Sequence, residues 1–291
     1  MGAYYFYQHT WNNENWRKKE LMVEEGLFVR RFRPAQSPFE LNLDAFHVAP
    51  GFVFVDIAYP LYTSLAKVQL GEEYMKRGCT LLIVQLPIRS SLQYKNKYEA
   101  FLQQLKELPV DYMVAPVIPP QILQPAMVRY FGLMKCPFIL FEADKARELK
   151  EVAWEWLAQA QGYSRIPIAP LFSPEAEDFQ KMDMIWKKIV DHCGMITLND
   201  PITDLPLSSR NLRISGIYPA KGALVPGGFG DFNLFLHDGS KVIDDPEEFS
   251  YHGSVPNATI LRGRVVQASQ KLTGKEMKGT HLKVSIPKHF L

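Results

Sequence analysis

Residues 80–117 read TLLIVQLPIRSSLQYKNKYEAFLQQLKELPVDYMVAPV. Two apolar runs, 80–85 and 112–117, flank a stretch in which Tyr98, Phe101, Leu102, Leu105 and Leu108 recur at helical spacing. Strand, helix, strand is the unit of a parallel sheet, since parallel neighbours need a crossover between them. The same alternation runs from about residue 50 to 201, with further apolar runs at 52–58, 138–141, 166–171 and 195–199. Six strands are expected. They are apolar throughout instead of alternating, as strands covered on both faces should be.

The helices between them carry one apolar face each. Leu149, Val152, Ala153, Trp156, Leu157 and Ala160 form one stripe, and Phe179, Met182, Trp186, Ile189, Val190 and Cys193 another. Ser173-Pro174 reads as an N-cap and first turn ahead of the second. Residues 63–77 and 121–134 are less regular helices, with Pro125 at a first turn or a kink. Outside this block the texture is that of short antiparallel strands: 4–7, 21–23 and 27–32 at the start, and 230–236, 259–261 and 264–267 near the end. Glu25-Gly26, His237-Asp238-Gly239 and Arg262-Gly263 are the turn signals. The chain is therefore expected to divide into an α/β domain, 50–212, and a small composite β domain made of 1–49 and 213–291.

Composition excludes several classes of function. The chain has 291 residues, 47% apolar and 22% charged, with 33 basic against 31 acidic side chains and a formal charge of +2. That charge gives no field to hold nucleic acid or an anionic membrane, so neither is expected as a partner. Cys79, Cys136 and Cys193 form no C-x-x-C pair and leave one over, which disfavours both a disulfide framework and a thiolate metal site. The start lacks a signal-peptide pattern, and no apolar run approaches the roughly 20 residues that span a bilayer. A cytoplasmic protein is expected.

Residues 21–56, LMVEEGLFVRRFRPAQSPFELNLDAFHVAPGFVFVD, resemble the opening of amidohydrolase-superfamily enzymes of the dihydroorotase and dihydropyrimidinase type. There a small β domain leads through an "LPGFID" segment into the first barrel strand, the place held here by Ala49-Pro50-Gly51-Phe52. Residues 215–236, SGIYPAKGALVPGGFGDFNLFL, resemble the family's "GLYPRKGxLxxGxDADxxxxD" return to the β domain, and 258–266, ATILRGRVV, its closing hairpin. Residues 78–82, GCTLL, resemble the "GVTTV" second strand. The resemblance implies a TIM-like (β/α) barrel with a small β-sandwich domain. Residues 50–212 number only 163, below the roughly 200 or more that eight βα units occupy, so a truncated or incomplete barrel is expected.

The resemblance also implies one or two metal ions at the C-terminal mouth of the barrel, held by a His-x-His pair after strand 1, a carboxylated Lys or a Glu after strand 4, His after strands 5 and 6, and an Asp after strand 8. Aligning Pro50-Gly51-Phe52 puts Asp56 and Ala58 at the two His places. A shift of two residues instead puts Asp56 at the family's Asp place and Ala58 and Pro60 at the His places, so the pair is absent either way. Glu142 could stand for the strand-4 carboxylate, or be a solvated strand-end acid beside Asp144 as a helix N-cap. Asp200 resembles the last Asp only as an acid near the return to the β domain, or is an Asp-Pro turn. His9, His47, His192, His237, His252, His281 and His289 all fall away from the strand ends. A His-containing binuclear site cannot be built. Asp56, Glu142 and Asp200 remain as an all-carboxylate alternative suited to a hard divalent cation such as Mg²⁺; otherwise no cofactor is expected.

No Ser-x-x-Lys, Gly-x-Ser-x-Gly or Cys/His arrangement offers another nucleophile, and Cys79 and Cys136, at strand beginnings, read as buried thiols. Residues 226–230, PGGFG, lack the strand, helix and Lys-Ser/Thr of a phosphate loop and read as a turn into a strand. The expectation is an amidohydrolase-like protein that has lost the hydrolase site and acts in binding or assembly, as a homodimer closing the gap of the missing units. Two alternatives stand beside it. One is an active hydrolase of cyclic amides or other non-peptide C–N bonds with a rebuilt carboxylate site. The other is a non-catalytic small-molecule sensor with Gln85, Arg89, Glu142 and Ser173 as its polar contacts.

Overall fold

A computed structural model describes residues 2–12, 15–33, 37–173, 175, 177–236, 255–273 and 278–286. The chain begins with β1 (Tyr4–Asn12), β2 (Asn15–Glu24) and β3 (Leu27–Val29), antiparallel neighbours, with β4 (Phe39–Glu40) lying parallel to β1 at the other edge. Glu25 and Gly26 both take positive φ, 51° and 80°. That is the two-residue turn whose twist suits a hairpin, and it sits where the sequence signals it. β5 (Phe46–Pro50) then leaves this sheet and leads through Gly51 into the α/β region.

There β6 (Phe52–Val55), α1 (Lys67–Lys76), β7 (Cys79–Pro87), α2 (Tyr94–Gln104), β8 (Asp111–Ile118), α3 (Pro125–Leu133), β9 (Ile139–Phe141), α4 (Ala146–Lys150), α5 (Trp154–Ser164), β10 (Ile168–Pro170), α6 (Phe179–Cys193) and α7 (Ser209–Ile214) follow. The strands form a curled parallel half-barrel of order β10-β9-β8-β7-β6. Every residue of β7 and β8 is buried, which is why those segments are apolar on both faces. Phe54, Leu82, Val84, Tyr112, Val114, Ile139 and Phe141 pack outward under the helices, against Tyr98, Phe101, Met127, Phe131, Leu157 and Trp186. Val53, Val55, Leu81, Ile83, Met113, Ala115, Val117 and Leu140 pack inward.

Three local expectations are corrected. Residues 195–199 form no strand, and among the described residues the parallel sheet has five strands, not six. The Ile196 carbonyl accepts a bond from the Ile168 amide at 2.9 Å, but the Gln161 side chain donates to that same carbonyl (2.7 Å) and accepts from the Ile196 amide (3.0 Å). Asn211 Oδ1 accepts from the amides of Asn199 and Asp200. Side-chain amides thus take the backbone groups a ladder would use. The stripe from Leu149 to Ala160 is broken between α4 and α5, so Trp154 is buried and Trp156 is 64% exposed. α6 starts at Phe179 after Asp178, five residues beyond Ser173, whose hydroxyl accepts from Glu175 instead; Pro174 lies outside the described residues. Pro125 does open the first turn of α3.

The chain then returns through β11 (Phe232–Leu236), β12 (Ala258–Leu261), β13 (Arg264–Ala268) and β14 (Lys271–Leu272). These join β5 in a second antiparallel sheet of order β14-β13-β12-β11-β5. Tyr4, Phe6, Leu21, Val23 and Phe28 of the first sheet share one apolar cluster with Phe232, Leu234 and Ile260 of the second. Arg262-Gly263 is a turn with φ of 51° and 71°; His237-Asp238-Gly239 lies outside the described residues. The amides of Gly227, Gly228, Phe229 and Gly230 all donate to carbonyls, of Phe28, Val225, Ala220 and Gly26. No donor of that loop is left for a phosphate, and the turn reading holds.

Residues 278–286 turn back into the half-barrel. β9 pairs with β8 only at Val117 and Ile118, so the start of β8 has a free edge. The tail runs parallel to it there: Tyr112 donates to the Thr280 carbonyl at 3.0 Å and accepts from the Leu282 amide at 2.9 Å. Leu282 and Val284 join Leu198, Leu207, Leu212 and Ile217 on the inner face of the sheet. The concave side that further barrel strands would cover is filled by α7, the loops on either side of it and the tail.

Candidate functional site

The C-terminal ends of the five strands carry the acids that the sequence singles out. Asp56 follows β6 and is fully buried. One carboxylate oxygen accepts from the Leu61 amide at 2.7 Å and the other from the Gln85 amide at 2.8 Å, while Gln85 Nε2 donates to the Asp56 carbonyl at 3.0 Å. Burial pushes the carboxyl up to about 8, against the pull of those hydrogen bonds. Asp56 and Gln85 therefore lock the loop after β6 onto the end of β7. Glu142, after β9, is ion-paired with Arg89 across the mouth at 2.8 Å. Ser173 is exposed.

Asp200 stands apart from these. Its carboxylate accepts from the Ser208 hydroxyl, its amide donates to Asn211, and Ser208 in turn caps α7 by accepting from the Asn211 amide. This is a loop-to-helix clasp. Asp144 does not cap α4: Lys145 holds that position, and Asp178 accepts from the Ala146 amide. The structure thus brings Asp56 to Gln85 and Arg89 to Glu142. It binds Asp200 and Ser173 to separate local turns. Among the described residues no three His, Cys, Asp or Glu side chains gather as metal ligands. Two backbone amides occupy Asp56 and a guanidinium occupies Glu142, so this donor set does not fit the divalent ion that the fold implies.

A buried charged cluster lies at the opposite end of the strands, and sequence reading missed it. Lys221, whose side chain is wholly buried, donates to Asp111 Oδ2 at 2.7 Å, to Asp231, and to the Thr80 carbonyl at 3.3 Å. Arg262 reaches Asp111 and Thr280 with its guanidinium, and its amide donates to Asp231 Oδ1 at 2.7 Å. Thr280 donates to Asp111 Oδ1 from its amide at 2.8 Å. Burial raises Asp111, but Lys221, Thr280 and Arg262 outweigh it and hold that carboxyl below its usual range. Burial dominates at Asp231 and leaves it raised despite Lys221. Two carboxylates and two cations balance, as buried charges must. Gly51 makes room for this joint, because a Cβ there would lie 2.4 Å from Thr80 Oγ1 and 3.0 Å from Asp231 Cβ. The cluster ties β7, β8, the return segment, the β12–β13 turn and the tail into one knot. Lys221 and Asp231 both lie in the 215–236 segment that carries the resemblance, and that was the available signal.

The three thiols are free. Cys79 and Cys136 are buried, as expected, and burial pushes each up to about 12. No helix of the described residues is long and apolar enough to cross a membrane.

A half-barrel of parallel strands under helices, entered and left through antiparallel sheets, defines an α/β fold of the TIM-barrel kind. Searches with the sequence find no matching protein-family model and no curated relative. Solved structures do match. A D-hydantoinase aligns over 98% of this chain and 99% of its own with a TM-score of 0.58 and 11% identity. The dihydropyrimidinase from Brevibacillus agri aligns over 98% and 99%, with a TM-score of 0.52 and 9% identity. A D-hydantoinase from a Thermus species aligns over 97% and 99%, with a TM-score of 0.53 and 11% identity. The chain shares its fold with these hydrolases. At such identities the likeness is one of fold, and function has to come from the residues at hand.

Proposed function

We propose that this chain uses an amidohydrolase fold for binding or assembly and has lost the metal-dependent hydrolase site. Asp56 carries the reading. It is the acid at the end of the first strand, where the resemblance puts the metal-binding motif, and it is wholly buried with both oxygens held by backbone amides, so it serves as a structural clasp. Support comes from the mouth, where no strand end offers an imidazole, and from the inner face, filled by Leu198, Leu207, Leu212, Leu282 and Val284. In the same reading, residues 1–49 and 213–291 act as one composite β domain, a sandwich around the shared cluster of Phe6, Val23, Phe232 and Ile260, and the chain works in the cytoplasm as a homodimer. Exposed Tyr59, Leu65 and Leu92 on the mouth loops are apolar surface that a second copy would cover.

The active-hydrolase alternative needs Asp56, Glu142 and Asp200 on one ion. Metal titration of chelator-treated protein, with hydrolysis of hydantoin and dihydropyrimidine assayed in parallel, decides between them. No turnover and no tight site is the expected result, and metal-dependent turnover would overturn the proposal.

A sensor reading draws on one further observation. A cavity of about 400 Å³ lies beside the mouth, lined by Tyr62, Leu86, Pro87, Arg89, Lys97 and Phe101. Gln85 is spent on Asp56, which leaves Arg89 as the only candidate contact lining that cavity. A thermal-shift screen with ureides, hydantoins and pyrimidines tests it, because a ligand that binds only the native state raises its melting temperature.

A further inference from the structure

On the opposite side, where the strands begin, the ends of α3 and α5 and the tail enclose a cavity of about 520 Å³. Lys135 and Arg165 line it, and no Asp or Glu does. Both residues stand just past a helix end with left-handed backbone, φ 64° and 58°, a conformation unfavourable for a residue with a side chain. Neither has an acidic partner among the described residues. Lys135 Nζ donates to the Ser285 hydroxyl at 3.3 Å, whereas Arg165 Nη2 is buried with no hydrogen-bond partner in the protein. The neighbouring Ser164 hydroxyl is likewise buried and unpartnered. Its position is tight, for a Cβ on Gly132 of α3 would lie 2.2 Å from it. A cation past a helix C-terminus can complement the helix dipole. That role alone would leave Nη2 bonded to a carbonyl of the helix end, and a buried donor without a protein partner is costly.

We propose that this cavity binds a phosphorylated small molecule, its phosphoryl group held by Arg165, Lys135 and the Ser164 hydroxyl. Two unpaired cations match a phosphate monoester, which carries a charge of roughly −1.5 to −2 near neutral pH. Arg165 Nη2 and the Ser164 hydroxyl, closed to solvent in the ligand-free chain, turn into the cavity on binding, the guanidinium taking two phosphoryl oxygens and the hydroxyl and the Lys135 ammonium the rest. The volume falls within the roughly 300–1,000 Å³ typical of small-ligand sites. Val284, Ser285 and Ile286 form one wall, so an occupied site holds the tail against β8 and α3. None of this depends on the mouth of the half-barrel or on the loss of hydrolase chemistry.

The test uses the full chain, titrated by calorimetry and thermal melting with inorganic phosphate and with glycerol phosphate at constant ionic strength, with acetate and chloride as controls. Both phosphates should bind and raise the melting temperature with the logarithm of their concentration, glycerol phosphate at least as well as the free ion, and the controls should not. Arg165→Gly relieves the left-handed strain and Ser164→Ala removes an unpaired group, so both variants should fold. Each should weaken phosphate binding about tenfold or more, the loss expected for a charge-assisted bond. No binding of either phosphate to the unaltered chain would overturn the proposal. So would equal binding by both variants, or acetate matching phosphate.

Discussion

Lys221 is the residue whose loss the chain should tolerate least. Replacing it with methionine leaves Asp111 and Asp231 facing each other in a buried site, with Arg262 alone to balance them. Breaking a buried pair in this way costs about 3–5 kcal/mol, so Lys221→Met should lower the denaturant midpoint steeply. Adding Asp231→Asn to it should recover part of the loss. Equal midpoints for Lys221→Met and the unaltered chain would mean that the cluster contributes nothing.

Asp56 makes a prediction of the other kind. Its carboxyl titrates at about 8 when folded against about 3.9 when unfolded. Between those values the folded chain holds a proton that the unfolded chain has released. The stabilisation from that proton is complete below pH 4 and is lost as pH rises towards 8, by up to about 1.4 kcal/mol per unit. Asp56→Asn cannot ionise, so its stability relative to the unaltered chain should improve steadily from pH 5 to 8 and then level off. Parallel pH profiles for the two proteins would contradict the buried neutral acid. An acid at the end of the first strand was legible in the sequence; that amides from Leu61 and Gln85 take both its oxygens was not, because that depends on how the loop after β6 closes.

At the scale of elements, the central strands were legible and the ends of the sheet were not. β7 and β8 lie where the apolar runs at 80–85 and 112–117 put them, since burial on both faces leaves an unbroken apolar signature. Residues 195–199 carry a similar run and form no strand, because Gln161 and Asn211 satisfy that backbone from elsewhere in the chain. Helix periodicity likewise identified the stripe across α4 and α5 but not the break at 151–153 that turns Trp154 inward and Trp156 outward. The tail gave no signal at all. Its seat beside β8 depends on Gly279, where a Cβ would lie 1.8 Å from the Val110 carbonyl oxygen. Gly279→Ala should push the tail off that edge and cost about 1–3 kcal/mol. Hydrogen exchange should then speed up at the Tyr112 and Leu282 amides, which bond across the junction. Unchanged protection there would show that the tail contributes nothing to closing the sheet.

For the whole molecule, the question is how a five-stranded half-barrel avoids open edges. Part of the answer lies within the chain: the Leu207 amide donates to the Val53 carbonyl on β6 at 2.8 Å, and the Ile168 amide of β10 donates to Ile196. The remainder motivates the proposed homodimer, which light scattering over a concentration series checks; a monomer persisting at high concentration would remove that motive. Truncation before Tyr218 should give insoluble protein, since it removes Lys221 from Asp111 and takes β11 away from β5. A soluble, cooperatively folded truncation would mean that the two ends of the chain do not depend on each other.

The central claim, that the fold has kept its frame and lost its metal-dependent chemistry, is tested most directly by elemental analysis of native protein purified without chelator. Asp56 clasped by amides, Glu142 paired with Arg89 and strand ends without imidazole predict far less than one equivalent of zinc, iron or manganese per chain. One equivalent bound with submicromolar affinity at the mouth, and lost on substituting Asp56 or Glu142, would contradict it.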